Sequence, residues 1–494
     1  MSARYSEAAF EAAIEATLLA GGYRKGDPAA FDRKRALDIG VLLEFVRDTQ
    51  PDAWAYLENI QKERAGETLV TDLVRALDSE HEGCLAVLRH GFKCYGKTFQ
   101  VAYFAPASGL NPDSARLYAA NRLTITRQLH YSQANENSLD MVLGLNGIPL
   151  VTLELKNQLT GQNVTNAIRQ YREDRDPAEQ IFRFGTRTLV HFAVDPDLVY
   201  MTTKLVGPET HFLPFNKGNG QGAGNPPNPD GCRTAYLWES VLQRDSLLEI
   251  LARFVHLHVE TKEAGGTKII KKSLIFPRYH QLEAVRLLIA DARTAGSGKN
   301  YLIQHSAGSG KSNTIAWLAH RLATLHDAAD AKVFDSVIVL TDRLVLDQQL
   351  QDTVYQFEHR QGFVQKINDD STQLAKALVS GVPIIISTMQ KFGYVTDKIG
   401  TLPAKRYAVI VDEAHSSQGG EGAAEVKGVL SRAVIEDALK NRDTDGEVLD
   451  ENSLAVAEAG LTVYGDADWE EELVRQMKRR GRQPNLSFFA FTAT

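Results

Sequence analysis

Tyr301-Leu302-Ile303-Gln304 reads as an apolar strand that runs directly into His305-Ser306-Ala307-Gly308-Ser309-Gly310-Lys311-Ser312 and then into a helical stretch. Glycine at 308 and 310 lets successive backbone N–H groups turn toward a phosphate without Cβ clashes, and the following helix N-terminus adds its positive dipole. In such a loop Gly308, Ser309 and Gly310 cradle the phosphates and Lys311 sets a point charge against the β- and γ-phosphates. The Ser312 hydroxyl ligates Mg²⁺. Where the general pattern opens with Gly, this chain has His305. Strand before, helix after and Lys-Ser in register point to a nucleotide site rather than a chance Gly-Ser loop.

Outward from this loop the rhythm is that of an α/β protein. Apolar runs recur at 300–305, 335–341, 382–387, 407–412 and 486–492, separated by helical segments, and that alternation predicts a parallel, doubly wound sheet. The run Tyr407-Ala408-Val409-Ile410-Val411 ends in Asp412-Glu413-Ala414-His415. A lone Asp-Glu at a strand end is usually a solvated turn. Downstream of a phosphate loop it is the expected second half of an ATPase site, with Asp412 holding Mg²⁺ through water and Glu413 activating the attacking water. Residues 420–485 read as an acidic, helix-rich insertion.

These residues carry a family resemblance. Asp412-Glu413-Ala414-His415 resembles the DEAH box of superfamily 2 helicases and translocases, and Arg278-Tyr279-His280-Gln281 resembles their adenine-reading motif, which makes Gln281 the adenine contact. Thr341-Asp342-Arg343 and Ser387-Thr388-Met389-Gln390-Lys391-Phe392 resemble the motifs that contact DNA backbone. Thr492-Ala493-Thr494 resembles the motif that couples ATP state to DNA grip. The resemblance covers about 274–494 and implies a first RecA-like lobe that ends after this coupling motif. The second lobe of such motors supplies the arginines that meet the γ-phosphate, so negligible ATPase is expected of these residues alone.

Upstream, two apolar runs, Leu139–Leu145 and Ile148–Leu155, flank Asn146-Gly147, a strong hairpin signal. Glu154 and Lys156 are two apart and so share a strand face. A charged pair on an otherwise apolar strand is accounted for by metal-assisted phosphodiester cleavage. Asp140 and Glu154 would hold Mg²⁺, with the Leu155 carbonyl and waters completing six oxygens, and Lys156 would activate water or stabilise the phosphorane. A solvated surface hairpin is the plainer alternative. A two-residue turn in a regular ladder pairs Leu145 with Ile148 and Asp140 with Leu153, which turns Asp140 away from Glu154. The expectation is therefore a three-residue loop, Leu145-Asn146-Gly147, or an equivalent bulge.

The hairpin resembles the PD-(D/E)XK nuclease core. Through Asn157-Gln158, and with Phe10-Glu11 and Val199-Tyr200-Met201, the stretch resembles the motor subunit of type I restriction enzymes. That resemblance implies double-stranded DNA as substrate, ATP and Mg²⁺ as cofactors, and methyltransferase and specificity subunits as partners. Glu11 is either an accessory carboxylate or solvated. Tyr171 fits the Tyr of an accessory Gln-x-x-x-Tyr motif, but its Gln slot holds Ala167, with Gln170 nearby. The rivals are a type III-like restriction or repair helicase-nuclease, in which the nuclease follows the motor, and a non-cutting superfamily 2 DNA-remodelling motor.

The remaining features bound this reading. A net charge of −7 excludes a histone-like polycation, so DNA contact falls to local basic grooves. Three cysteines without a CxxC pair give no zinc or disulfide framework, and no run approaches a membrane span, so a cytoplasmic protein is expected. Helices are expected over 6–20, 34–62 and 162–173, with strands near 99–104, 139–156, 188–193 and 198–202. The clearest seam is the Gly/Asn/Pro tract 216–229. The expected order is a nuclease domain at 1–235 that includes the 217–231 loop, a helical connector at 236–273 and the RecA-like lobe at 274–494.

Overall fold

The computed structural model describes residues 7–80, 83–106, 111–157, 161–220, 222–264, 267–306, 308–341, 353–354, 363–367, 371–388, 405–412 and 485–493. The chain forms two compact units, Met1–Leu282 and Glu283–Thr494.

The first unit is built on a seven-stranded mixed sheet in the order Arg24–Lys25, Leu123–His130, Ser138–Leu145, Ile148–Leu155, Val190–Val194, Val199–Thr202, Leu213–Pro214. The second, third and fourth strands of this order form an antiparallel meander, and Val190–Val194 joins Ile148–Leu155 in parallel after the helix Val164–Glu173. That helix starts where Asn163 and Asn166 complete a reciprocal cap, and it buries Val164, Ala167 and Tyr171. The opening helix Glu7–Ala20 buries Phe10, Glu11, Ile14, Glu15 and Leu18. The expected helix over 34–62 is two helices, Ile39–Thr49 and Pro51–Gln61. Pro51, with no N–H to donate, starts the second at its first turn.

The hairpin takes the second of the two expected forms, a bulge in place of a three-residue loop. Leu145 pairs with Ile148 across a two-residue turn, with Asn146 at φ +51° and Gly147 at φ +86°, as a type I′ turn requires. A Cβ on Gly147 would lie 2.2 Å from the Asp38 carbonyl oxygen, so glycine is needed there for space as well. The register then shifts. Gly144 faces Pro149, but Leu143 faces Val151, which leaves Leu150 as a bulge. Pro149 cannot donate to the ladder, and that is where a bulge costs least. The pairing continues as Val142↔Thr152 and Met141↔Leu153, so Asp140 and Glu154 share one face. The tip is not solvated: Asn146 is buried, its Nδ2 donates to Val101 O at 2.8 Å, and its Oδ1 accepts the Arg122 N–H at 2.7 Å.

Two boundary expectations are corrected. The Gly/Asn/Pro tract is not a seam, because Asn225 is buried and its Nδ2 donates to Asp197 O and Asn216 Oδ1, each at 2.8 Å. The division falls instead at Leu282/Glu283. The 236–273 connector is helical only over Leu237–Val241 and Arg244–Arg253. His256–Ala264 and Thr267–Ile275 pair as an antiparallel ribbon, in keeping with Val259, Thr261, Thr267, Ile269 and Ile270 being β-branched.

The second unit carries a six-stranded, wholly parallel sheet in the order Tyr301–His305, Leu486–Ala493, Tyr407–Val411, Ser336–Thr341, Ile384–Thr388, Val364–Lys366. The five expected strands are all present. Continuous apolar runs suit strands buried on both faces, and Ile338, Leu340, Ile385, Val409 and Leu486 pack into one core with Leu374 and Leu378 of the helix Ser371–Ser380.

Candidate nuclease and nucleotide-binding sites

The ladder of the hairpin stops at Met141↔Leu153, and beyond it side chains take over the backbone's hydrogen bonding. Asp140 Oδ2 accepts the Leu155 N–H at 2.7 Å and lies 3.7 Å from Lys156 Nζ. Lys156 Nζ also donates to Leu155 O at 3.0 Å and reaches Glu7 Oε1 at 3.3 Å. One ammonium is thus gathered by two carboxylates and a carbonyl. The opening helix adds a third carboxylate. Glu11, one turn on from Glu7, accepts from Arg127 Nη2 at 2.8 Å and from Gln128 Nε2 at 2.9 Å. Gln128 Nε2 also lies 3.5 Å from Asp140 Oδ1. Single oxygens of Glu7, Glu11 and Asp140 converge within 4.8 Å of one another. Burial holds the Glu11 carboxyl above its usual range, with Asp140 adding to the rise and Arg127 opposing it.

Glu154 stands apart from that trio. It is fully buried, and Arg175 takes its Oε1 with Nε at 2.7 Å and Nη2 at 2.6 Å. Its Oε2 has no hydrogen-bond partner among the described residues. Burial first and Asp140 second push the Glu154 carboxyl well above the ordinary range, against the pull of Arg175 and Lys156. The donor set suits a hard divalent cation: oxygens only, two of them carboxylates on one sheet face, with a buried oxygen left unsatisfied. Tyr171 is core. Its hydroxyl lies 2.7 Å from Thr152 Oγ1, and its ring packs on His191 and Phe212. Ala167 is buried beside it and Gln170 is half-buried.

In the second unit the phosphate loop follows its strand as expected. Gly308 and Gly310 take φ +72° and +87°, and Gly310 caps the helix Lys311–Ala323, which buries Ile315 to Ala319. Lys311 Nζ lies 2.9 Å from Asp412 Oδ1 at the end of the strand Tyr407–Val411, so the two halves of the expected site meet. Ser309 is buried, with Oγ 2.8 Å from His305 Nδ1, and Ser312 is half-buried in the helix's first turn. In the first unit, Gln281 is buried and its Oε1 accepts the Arg278 N–H at 2.9 Å. Of the DNA-contact and coupling motifs, Thr341 and Ser387 are buried near strand ends and Thr492 is on the last strand. Glu413, Asp342-Arg343, Met389–Phe392, Thr494 and all of the 420–485 insertion but its last residue lie outside the described residues.

Residues 5–210 match the family described as "Type I restriction enzyme R protein N terminus", and residues 280–436 match "SWI2/SNF2 ATPase". Over these spans the chain is similar to the N-terminal part of type I restriction enzyme R proteins and to SWI2/SNF2 ATPases. Its curated relatives include the type I restriction enzyme SsaAORF53P endonuclease subunit of Staphylococcus saprophyticus, 27% identical over 320 residues. The HindI endonuclease subunit of Haemophilus influenzae is 26% identical over 318 residues. Each match covers 62% of this chain but only 30% and 28% of those proteins, so the chain spans under a third of their length. Among solved structures, the UvsW helicase from bacteriophage T4 is 16% identical over 35% of this chain and 53% of its own. Its TM-score of 0.22 is too low for its architecture to be carried over. No helix among the described residues is long and apolar enough to cross a membrane.

Of the residues singled out in the sequence, Asp140 and Lys156 lie 3.7 Å apart, and Glu154 shares the Asp140 face of the hairpin but is held by Arg175. The sequence reading missed Glu7, Glu15, Arg127 and Arg175. A signal for the first two was present, since Glu7, Glu11 and Glu15 recur at i, i+4 on a helix whose apolar residues mark the same buried face. Arg127 and Arg175 had no such signal.

Proposed function

We propose that this chain joins a Mg²⁺-dependent DNA nuclease of the PD-(D/E)XK type to the ATP-binding lobe of a DNA translocase. Its setting would be a type I restriction enzyme acting with methyltransferase and specificity subunits on double-stranded DNA. The observation that carries the reading is the bulged hairpin, which brings Asp140 and Glu154 to one face and leaves Lys156 beside both the Asp140 carboxylate and the Leu155 carbonyl. Asp140, Glu154 and the Leu155 carbonyl would hold the cation, with Glu11 an accessory carboxylate. Bound Mg²⁺ would act as a Lewis acid on the scissile phosphate and lower the pKa of a water. Lys156, released from Glu7, would orient the attacking water and offset charge on the phosphoryl oxygens. In the second unit Gly308 to Ser312 would cradle the triphosphate of ATP, Ser312 and Asp412 would hold its Mg²⁺, and Glu413 would activate water.

Reconstitution of a longer chain that carries both motor lobes, with the partner subunits, on plasmid DNA bearing a recognised site tests this. Cleavage should require both ATP and Mg²⁺, and Asp140→Asn should lower it at least about 100-fold. Undiminished cutting by Asp140→Asn, or in excess chelator, would overturn the nuclease assignment.

A further inference from the structure

Arg175 follows the helix Val164–Glu173 and its terminal residue Asp174, and no motif marks it. Its guanidinium is buried and fixed on several sides. Nη2 donates to Ser138 O at 2.8 Å, Nη1 to the Tyr131 hydroxyl at 3.4 Å, and the Tyr131 ring lies 5.6 Å from its central carbon. Nε and Nη2 also reach Glu154, both at the same oxygen, Oε1, at 2.7 and 2.6 Å. An arginine that serves only to neutralise a carboxylate does so best as a fork across both oxygens. Here the fork closes on one oxygen, and Oε2 stays buried without a partner among the described residues, a costly arrangement unless something else uses that oxygen.

We propose that Arg175 is a positioning residue of the nuclease site: it grips Glu154 by Oε1 and presents Oε2 to a divalent cation shared with Asp140. The inference rests on the nuclease reading above. Arg175 touches neither DNA nor cation. It acts by fixing the rotamer and charge of the buried ligand, as outer partners of metal ligands do, and their loss typically weakens metal affinity by about 10–100-fold.

The test is Mn²⁺ binding to the full chain without nucleotide, followed by electron paramagnetic resonance, with thermal melts run alongside. Asp140→Asn defines which part of the signal belongs to this site. Arg175→Met should weaken that part at least about tenfold, and Arg175→Lys, which keeps the charge but loses the fork, should fall between. If Arg175→Met does not fold, Arg175→Lys decides alone, with weakening of at least about threefold expected. Wild-type Mn²⁺ affinity in folded Arg175 variants, while Asp140→Asn loses it, overturns the role of Arg175 and spares the nuclease reading. No difference between wild type and Asp140→Asn overturns both.

Discussion

The phosphate loop and the carboxylate cluster are both charge-handling sites, but they are built in opposite ways. The phosphate loop is local. It runs within His305 to Ser312, and Asp412 reaches Lys311 at 2.9 Å from a strand end. The carboxylate cluster is distributed. Glu7 and Glu11 come from the opening helix, Gln128 from a strand, Asp140 and Lys156 from either side of the hairpin, and Arg175 from beyond a later helix. A local site is specified by backbone conformation and leaves a contiguous signature. A distributed site is specified by tertiary register, so only the part carried by the hairpin leaves one.

The largest effects should come from breaking each site at its lysine. In the assembled enzyme, Lys311→Ala should reduce DNA-stimulated ATPase by at least about 100-fold, because it removes a positioned charge from the γ-phosphate. On the proposed reading, in which cutting follows translocation, cleavage should fall with it. Lys156→Ala should reduce cleavage by a similar factor, on the order of 10²–10³, and leave ATPase within about twofold. Steady-state phosphate release and plasmid linearisation, measured on the same preparations, separate the two. Parallel loss of ATPase in a folded Lys156→Ala enzyme would show that the sites are not independent.

How much of this was legible follows from the same contrast. The five strands of the parallel sheet could be read because buried parallel strands are continuous apolar runs. Asp140, Glu154 and Lys156 could be singled out from the hairpin spacing only beside the motor motifs downstream, and the face constraint then called for an irregular register. The form of that irregularity could not be read, because a two-residue turn with a bulge at Leu150 and a three-residue loop satisfy the same face constraint. Composition misled at the Asn/Gly/Pro tract, where the fold ties Asn225 down with hydrogen bonds that no local pattern announces. The ribbon from His256 to Ile275 was missed because charged residues interrupt its β-branched ones and blur the period of two.

A smaller effect probes the wall behind the carboxylates. His191 Nδ1 lies 2.7 Å from Thr152 Oγ1, and its ring packs between Tyr171 and Phe182. Burial holds its pKa at about 3, against 6.5 ordinarily. Below pH 6.5 the unfolded chain takes up a proton that the folded one refuses, so this contribution to stability is present above 6.5 and is lost as pH falls toward 3. At pH 5 the loss is about 2 kcal/mol. Glu154, whose carboxyl is raised, titrates with the opposite sign, so the quantity to measure is the wild type minus His191→Gln difference in urea stability. That difference should fall by about 2 kcal/mol between pH 7 and pH 5. A difference that is flat with pH would mean that His191 is not neutral in the fold.

The smallest expected effect separates core from site most finely. Tyr171 occupies the Tyr slot of the accessory nuclease motif, yet its ring is fully buried and its hydroxyl meets Thr152 rather than the carboxylates. Tyr171→Phe removes that one hydrogen bond without changing the packed volume. Thr152 keeps its contact with His191 at 2.7 Å, so no buried donor is left wholly unmet. The cost should therefore be that of a single neutral hydrogen bond, about 1 kcal/mol in urea unfolding. Plasmid cleavage and Mn²⁺ affinity should stay within about twofold of wild type, because neither the Glu154–Arg175 contact nor the Asp140 cluster uses the hydroxyl. Suppose instead that cleavage falls tenfold or more while stability drops by only this amount. The hydroxyl then acts on the reacting phosphate in the working complex, and Tyr171 belongs to the distributed site, not to the core that supports it.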